Sequence, residues 1–240
     1  MYFDKRVIYI IIAIIVLAGL MEYLTDPSAL LRLLLTIPGV LIAITFHEFA
    51  HAYAADKLGD DTSRMEGRLS LNPLKHLDPI GSLMLLFAGF GWGKPVHVNP
   101  RNYNRTMSMD KADAIVAIAG PAMNFILAIV LTLIYCAIEK FFIITSTIGT
   151  ILMYMLLYAI SINIGLGIFN LIPLPPLDGS KVIKPFLSFN AKTWFENNTT
   201  LFSIIFVVLW IIGILGTIIS PIINVVTTGL LNLGYMIFGL

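Results

Sequence analysis

The sequence has very little charge. Only 12% of its 240 residues are charged, whereas 58% are hydrophobic. In an average soluble domain about 25% of the residues are charged and about 45–50% are apolar. The mean hydropathy is +0.90, and a soluble fold of this size could not cover so much apolar surface. The composition therefore excludes a soluble globular protein, and it excludes disorder because disordered chains are poor in apolar residues. The net charge of +1 argues against nucleic acid as a partner.

Cysteine is almost absent too. The one cysteine, Cys136, lies within a long apolar run. A single cysteine excludes a disulfide scaffold within the chain and a cysteine-rich zinc site. Since free cysteine behaves as a small apolar residue, Cys136 is interpreted as a packing residue.

Long apolar runs are abundant instead. A membrane span needs about 20 mostly apolar residues to cross about 30 Å of hydrocarbon. The sequence predicts one membrane domain over residues 1–240 with six spans, at about 7–23, 33–55, 112–138, 148–171, 201–219 and 222–239. Ser220-Pro221 is predicted to break the last apolar stretch into two spans. The first run follows Lys5 and Arg6 but precedes no clear cleavage site, so it is interpreted as a retained helix and not as a signal peptide.

The segment at about 67–100, between the second and third spans, has a shorter apolar stretch. Ile80 to Phe90 cannot cross a membrane, and glycines surround it, which is typical of a re-entrant or interfacial segment. Val96-His97-Val98 alternates like a short strand. The expected fold class is an all-α polytopic membrane protein with a short re-entrant or β-hairpin segment after the second helix.

Lysine and arginine in the loops indicate the orientation. If the N-terminus is cytoplasmic, only Arg32 and Lys140 of the 15 lysines and arginines fall outside. The sequence therefore predicts a multi-pass protein of the cell membrane with both termini in the cytoplasm.

The chemistry is concentrated in the second span, which reads His47-Glu48-Phe49-Ala50-His51. Histidines at i and i+4 lie on one helix face, one turn apart, so both imidazoles can bind one zinc ion and leave positions for a third ligand and a water. Glu48 can act as the general base on that water. Such groups are unfavourable in hydrocarbon and mark a functional site; the alternative is a polar face at a structural contact.

Asp178 is the best-placed third ligand. It precedes Gly179, after three prolines that cannot continue a regular helix. The second and fourth spans both run towards the inner side, so Asp178 emerges at the depth of the histidine pair. Glu22, Asp26 and Glu139 fall at the opposite membrane surface. The alternative for Asp178 is a carboxylate in a surface Asp-Gly turn.

Two further features carry structural predictions. Gly120-Pro121, near the start of the third span, indicates a close helix approach or a kink. His76 and Asp78 could suggest a second metal, but at the membrane surface they are more typical of a structural turn.

Three motifs together resemble the site-2 proteases, intramembrane zinc metalloproteases of the M50 type. The motifs are His47-Glu48-Phe49-Ala50-His51, then Gly120-Pro121-Ala122-Met123-Asn124, then the stretch from Asn170 through Pro173 to Leu177-Asp178-Gly179. Their order and their placement in the spans match as well, over roughly residues 33–184. The segment after the second span is similar to compact bacterial and archaeal members that lack PDZ or CBS domains.

The resemblance implies a three-helix catalytic core that binds one zinc ion through His47, His51 and Asp178. Glu48 would activate the zinc-bound water. Asn124 and Asn170 would contact substrate backbone or help stabilise the oxyanion; the alternative is that each bonds a neighbouring helix.

The resemblance also implies a partner. The substrate would be a membrane protein cut in or near a transmembrane segment in the lipid bilayer, which is regulated intramembrane proteolysis. The segment after the second span would pair with an unwound substrate strand.

Two other functions fit a histidine pair in a membrane helix. A transporter or channel needs polar residues across the membrane depth, and the first, fifth and sixth spans offer almost none. A non-catalytic binding protein on the same scaffold would have an incomplete metal set, whereas His47, Glu48, His51 and Asp178 are all present. The sequence leaves open the substrate, the oligomeric state and whether a partner protein regulates access.

Overall fold

The computed structural model describes residues 5–88 and 93–240. The helices in these ranges are α1 (Lys5–Thr25), α2 (Pro27–Lys57), α3 (Thr62–Met65), α4 (Pro79–Ala88), α5 (Met109–Phe141), α6 (Thr147–Asn170), α7 (Gly179–Ile183), α8 (Phe189–Asn197), α9 (Thr199–Ile211) and α10 (Ile214–Phe238). Short 3-10 turns lie at Pro73–Lys75, Pro100–Asn102 and Lys184–Phe186.

Four helices of the described ranges are long and apolar enough to cross a membrane: α2, α5, α6 and α10. The prediction of an all-α polytopic membrane protein is confirmed, with four helices that could span a membrane. The prediction of six spans is not confirmed. Helix α1 has 21 residues and coincides with the first predicted span. Helix α9 has only 13 residues, which reach about 20 Å and fall short of a hydrocarbon core of about 30 Å.

The break in the last apolar stretch lies earlier than Ser220-Pro221. Pro221 lies inside α10, and the chain turns at Gly213, whose φ of +79° is left-handed. A left-handed glycine ends a helix outright, whereas an internal proline removes one backbone hydrogen bond that a membrane helix can do without. The two predicted spans are therefore one short helix and one long helix.

Helices α2, α5 and α6 form the centre of the bundle. Gly39 of α2 lies so close to α6 that a Cβ there would be 2.7 Å from the Cα of Ala159. Ala43 and Ala159 are buried at this contact, and Cys136 is buried in an apolar cluster with Ile160. Small residues allow such close contact between membrane helices. The packing role predicted for Cys136 agrees with this position.

Helix α10 runs away from the end of the bundle where Asp178 lies. Leu215, in its first turn, packs in one cluster with Leu177, next to Asp178. At its other end, Lys140 Nζ donates to the carbonyl oxygen of Gly239 at 3.0 Å. Lys140 is in the last turn of α5, and Val116, near the start of α5, contacts the histidine pair.

The end of α10 therefore lies at the opposite end of the bundle from Asp178. This arrangement differs from the six-span prediction, which returned the chain to the side of the histidine pair. The physical reason is the length of α9, which is too short to take the chain across the membrane before α10 begins.

The segment predicted as re-entrant contains a helix, α4, and the predicted β-hairpin is not confirmed in its described residues. Within the described residues it has no strand: its two ends meet in a single antiparallel bridge between Leu77 and Gly93, and Val96–Val98 is not paired as a strand. Helix α4 packs on α1, where a Cβ on Gly19 would lie 2.4 Å from the carbonyl oxygen of Phe87. A helix satisfies its own backbone hydrogen bonds in lipid, which an open hairpin cannot do. Residues 89–92 of the predicted segment lie outside the described ranges.

A buried carboxylate ties the turn after α2 to the approach to α5. Asp60 is completely buried and accepts hydrogen bonds from Thr62 Oγ1 at 2.5 Å, Asn99 N at 2.6 Å and Asn102 Nδ2 at 2.9 Å. Burial by itself raises the pKa of Asp60, but these hydrogen bonds outweigh it and hold the pKa below the usual value.

This network predicts a loss of stability in acid. A carboxyl whose pKa is lower in the folded state stabilises the fold above its unfolded pKa of about 4, and that stability is lost as the pH falls through the folded pKa. The Asp60→Asn variant should be about 1–3 kcal/mol less stable at pH 7, and its unfolding temperature in detergent should fall less than the parent's between pH 5 and pH 3, values chosen to bracket the unfolded pKa of about 4. Parallel pH dependences for the two proteins would contradict the assignment.

The direction of α10 predicts a labelling pattern. Lys181, which is exposed in α7, and Leu240, exposed beyond α10, lie at opposite ends of the bundle. In a Cys136→Ala background, Lys181→Cys and Leu240→Cys should react with a membrane-impermeant maleimide from opposite sides of sealed vesicles. Labelling of both from one side would contradict the helix directions.

Candidate metal centre

Three side chains from two distant parts of the chain meet at one point. Helix α2 carries His47 and His51 one turn apart, and Asp178 precedes α7 after the proline-containing turns that follow α6. The two Nε2 atoms are 3.0 Å apart, and each lies 3.1 Å from Oδ2 of Asp178. In the described part of the chain these residues form the one group of three or more that could hold a metal ion.

The second ring nitrogen of each histidine shows why this triangle fits a cation. His51 Nδ1 lies 2.7 Å from the carbonyl oxygen of Val116, which can only accept, so this nitrogen carries a hydrogen. His47 Nδ1 lies 2.7 Å from Oδ1 of Asn124. In a neutral imidazole the opposite nitrogen then presents a lone pair. Two such nitrogens and a carboxylate oxygen facing one point are unfavourable unless a cation lies between them.

The dimensions of the triangle fit zinc. Ligands at about 2.0–2.1 Å in a tetrahedral site are about 3.3 Å from one another, close to the separations of 3.0–3.1 Å seen here. Two histidines and one carboxylate leave a fourth position open, as catalytic zinc sites do.

Gly120 of α5 allows this geometry. A Cβ at this position would lie 2.4 Å from His51 Nε2 and 2.7 Å from His47 Cε1. The predicted close helix approach at Gly120-Pro121 is therefore confirmed, and the surface that α5 presents to the two imidazoles is a bare backbone.

Asp178 is held in a compact turn. Gly179 packs so tightly against the end of α6 that a Cβ would lie 2.4 Å from the carbonyl oxygens of Leu171 and Ile172. The Asp178 side chain is 17% exposed. Its Oδ2 lies 3.1 Å from each of the two Nε2 atoms, so Asp178 presents a carboxylate oxygen to the centre of the triangle.

Glu48 lies beside this triangle and is not part of it. Its Oε2 accepts a hydrogen bond from the backbone N–H of Val96 at 2.9 Å, and a Cβ on Gly93 would lie 4.0 Å from Oε1. The segment that follows α4 therefore fixes this carboxylate next to the histidine pair.

A buried arginine holds that segment in place. Arg68 is 8% exposed, and its guanidinium donates to the carbonyl oxygens of Lys75, Lys94 and Pro95. These contacts tie the two ends of the α4 segment together directly before Val96. The sequence alone did not single out Arg68; the signal that could have found it is a charged residue in a chain with few charges.

His76 lies in the same segment, shortly before α4. It is completely buried, and its Nε2 lies 2.7 Å from the carbonyl oxygen of Ser70. Asp78 accepts a hydrogen bond from the backbone N–H of Gly81 at 2.7 Å. These contacts are those of the structural turn that the sequence predicted.

The two asparagines predicted to contact substrate have partners within the protein. Asn124 is completely buried, with Oδ1 towards His47 and Nδ2 donating to the carbonyl oxygen of Ala43 and to Asn163 Oδ1, each at 3.0 Å. These hydrogen bonds agree with the alternative in which Asn124 bonds neighbouring helices. Asn170 donates to the carbonyl oxygen of Leu166 in its own helix at 3.0 Å and is not part of the triangle. Substrate contact by either asparagine stays a prediction.

Comparison with known proteins identifies the family. A sequence model described as Peptidase family M50 matches residues 137–213, which include Asp178. YwhC of Bacillus subtilis (strain 168), named as a zinc metalloprotease, is 36% identical over 200 residues, covering 83% of this chain and 90% of that protein.

Two other relatives carry similar names. Rip2 of Mycolicibacterium smegmatis, named as a zinc metalloprotease, is 31% identical over 65% of this chain and 58% of that protein. The zinc metalloprotease MJ0392 of Methanocaldococcus jannaschii is 30% identical over 62% of this chain and 33% of that protein. No solved structure matches the chain at a significant level. The chain therefore belongs to peptidase family M50, the family that its motifs resemble, and it is a zinc metallopeptidase of the site-2 protease type.

The position of Gly120 predicts a loss of metal affinity on substitution. The Gly120→Ala variant should bind zinc at least about tenfold more weakly, because the added methyl group displaces both imidazoles. The matched control is Gly229→Ala in α10, where a Cβ would meet nothing within 4 Å. This variant should leave the zinc affinity unchanged. Zinc titration of both purified variants against a chelating dye measures the effect, and equal affinities would contradict it.

Proposed function

We propose that this chain is an intramembrane zinc metalloendopeptidase that hydrolyses a peptide bond in or near a transmembrane segment of another membrane protein. His47, His51 and Asp178 hold the zinc ion, and Glu48 activates the attacking water. The observation that carries the proposal is the meeting of three ligand atoms within 3.1 Å of one another, with Glu48 on the same helix.

The chemistry follows from the neighbouring residues. When bound, zinc supplies a Lewis acid for the scissile carbonyl and lowers the pKa of its water. Glu48 accepts the proton of that water and delivers it to the leaving amine. The N–H of Val96 holds the carboxylate of Glu48 in one orientation, while Asn124 and the carbonyl of Val116 orient the two imidazoles.

The position of the site supports a membrane-embedded substrate. The two histidines lie on α2 and their partners Asn124 and Val116 lie on α5, while Asp178 follows α6. All three helices are long enough to span a membrane. A substrate helix must unwind locally before its peptide bond becomes accessible. The residues from Lys94 to Val98 lie beside Glu48 and are not paired as a strand among the described residues. We place the unwound substrate strand against this segment. Asn170, at the end of α6, is also proposed to contact substrate.

The loop charges support an orientation for the single membrane domain that we propose for residues 1–240. Most lysines and arginines outside the four span-capable helices lie between α2 and α5 and after α6, at the end of the bundle where Asp178 lies. That end is therefore proposed to face the cytoplasm, which gives water a short path to the zinc ion. The end of α10 then faces outward, in contrast to the cytoplasmic C-terminus expected from six spans.

The role of Glu48 is tested with an isosteric variant. Glu48→Gln should keep zinc stoichiometry and folding but lower the cleavage rate by about 10²–10⁴-fold, because the amide cannot accept the proton of the water. The assay incubates the detergent-solubilised protein with a pool of single-span membrane peptides and detects products by mass spectrometry. His47→Ala, which should lose both zinc and cleavage, is the control. Cleavage by Glu48→Gln at the parental rate would overturn the proposal.

A further inference from the structure

A second buried asparagine stands behind the metal centre. Asn163, in the second half of α6, is completely buried. Its Oδ1 accepts a hydrogen bond from Asn124 Nδ2 at 3.0 Å, and its Nδ2 donates to the carbonyl oxygen of Ala159 at 2.8 Å. The three side chains His47, Asn124 and Asn163 therefore form one polar relay across α2, α5 and α6. No motif in the sequence singles out Asn163.

The orientation of every group in this relay follows from two backbone carbonyls. The carbonyl oxygen of Ala159 can only accept, so the group of Asn163 that faces it is the amide nitrogen and Oδ1 faces Asn124. The carbonyl oxygen of Ala43 likewise requires the amide nitrogen of Asn124. Both hydrogens of that nitrogen are then used, one for Ala43 and one for Asn163, and Oδ1 of Asn124 must face His47.

The relay thereby sets the tautomer of His47. Because Asn124 Oδ1 can only accept, His47 carries its hydrogen on Nδ1 and presents a bare Nε2 towards Asp178 and His51. In the other tautomer, Nε2 would carry the hydrogen and could not bind a metal ion. Outer partners that set the ring orientation of a ligating histidine in this way contribute to metal affinity.

We propose that Asn163 is a positioning residue for the metal centre, which acts through Asn124 to hold His47 in its metal-binding tautomer. The inference rests on the proposed function only in that His47 is taken as a zinc ligand. The close contact of Gly39 with Ala159 supports it, because that contact sets the distance between α2 and α6 across which the relay acts. Without Asn163, one buried N–H of Asn124 has no partner, which is unfavourable, and its amide is held from one side only.

Zinc affinity tests this role without any substrate. Asn163→Leu removes both hydrogen bonds and keeps a side chain branched at Cγ, and it should weaken zinc binding by about tenfold, at the lower end of the range for outer partners. Asn163→Asp is the conservative variant: in its protonated form the side chain offers one donor to Ala159 and one acceptor to Asn124, and its affinity should stay within about threefold of the parent. The matched control is Thr132→Val, which also removes one buried hydrogen bond within a helix and should leave zinc affinity unchanged.

A double-mutant cycle separates positioning from general destabilisation. If Asn163 acts through Asn124, then Asn163→Leu should have no further effect on zinc affinity in an Asn124→Leu background. A merely structural role would lower the affinity by the same factor in both backgrounds. Each variant is first checked for a sharp unfolding transition in detergent, so that only folded proteins enter the cycle.

The outcomes are distinct. Weaker zinc binding by Asn163→Leu, recovery in Asn163→Asp and loss of the effect in the Asn124→Leu background support the proposal. Unchanged affinity in Asn163→Leu, or additive effects in the cycle, overturns it. A parent whose zinc binding does not change with His47→Ala would overturn the zinc site itself, whereas a parent that binds zinc but cleaves no membrane peptide would leave this inference standing and overturn only the proposed reaction.

Discussion

The hydrogen bond between His47 and Asn124 is the constraint on which the rest of the structure depends. A polar side chain between membrane helices must find its partners within the protein, because lipid offers none. His47, Asn124 and Asn163 meet this requirement as a group across three helices. Their bonds set which face of each helix points inward and also direct the metal-binding nitrogen of His47 towards Asp178.

Small residues make that arrangement possible. At Gly39 and Gly120 a side chain would collide with Ala159 or with the two imidazoles. Because the backbone at these glycines directly contacts the neighbouring helix or the two histidine side chains, the helices lie close enough for short asparagine side chains to bridge them. Around this centre, Arg68 and the N–H of Val96 place Glu48 by contacts with backbone groups, which do not depend on the neighbouring side chains.

Much of the site could be predicted from the sequence, and much less of the topology. His47 and His51 were predictable because helical spacing places them on one face, and Asp178 because its depth follows from the direction of two spans. The break at Gly213, the helical form of residues 79–88 and the far position of the end of α10 were not predicted. In each case the local pattern allowed two structures, and packing or helix length chose between them.

The sequence by itself determined that this chain lies in a membrane, which residues carry the chemistry, and which family its motifs resemble, because composition, periodicity and residue type are local properties. Only the tertiary structure decided the partners of those residues. Asn124 faces His47 and Asn163 because three helices pack in one particular register. Such contacts, between residues 39 and 77 positions apart, depend on how helices pack, and no local pattern specifies them.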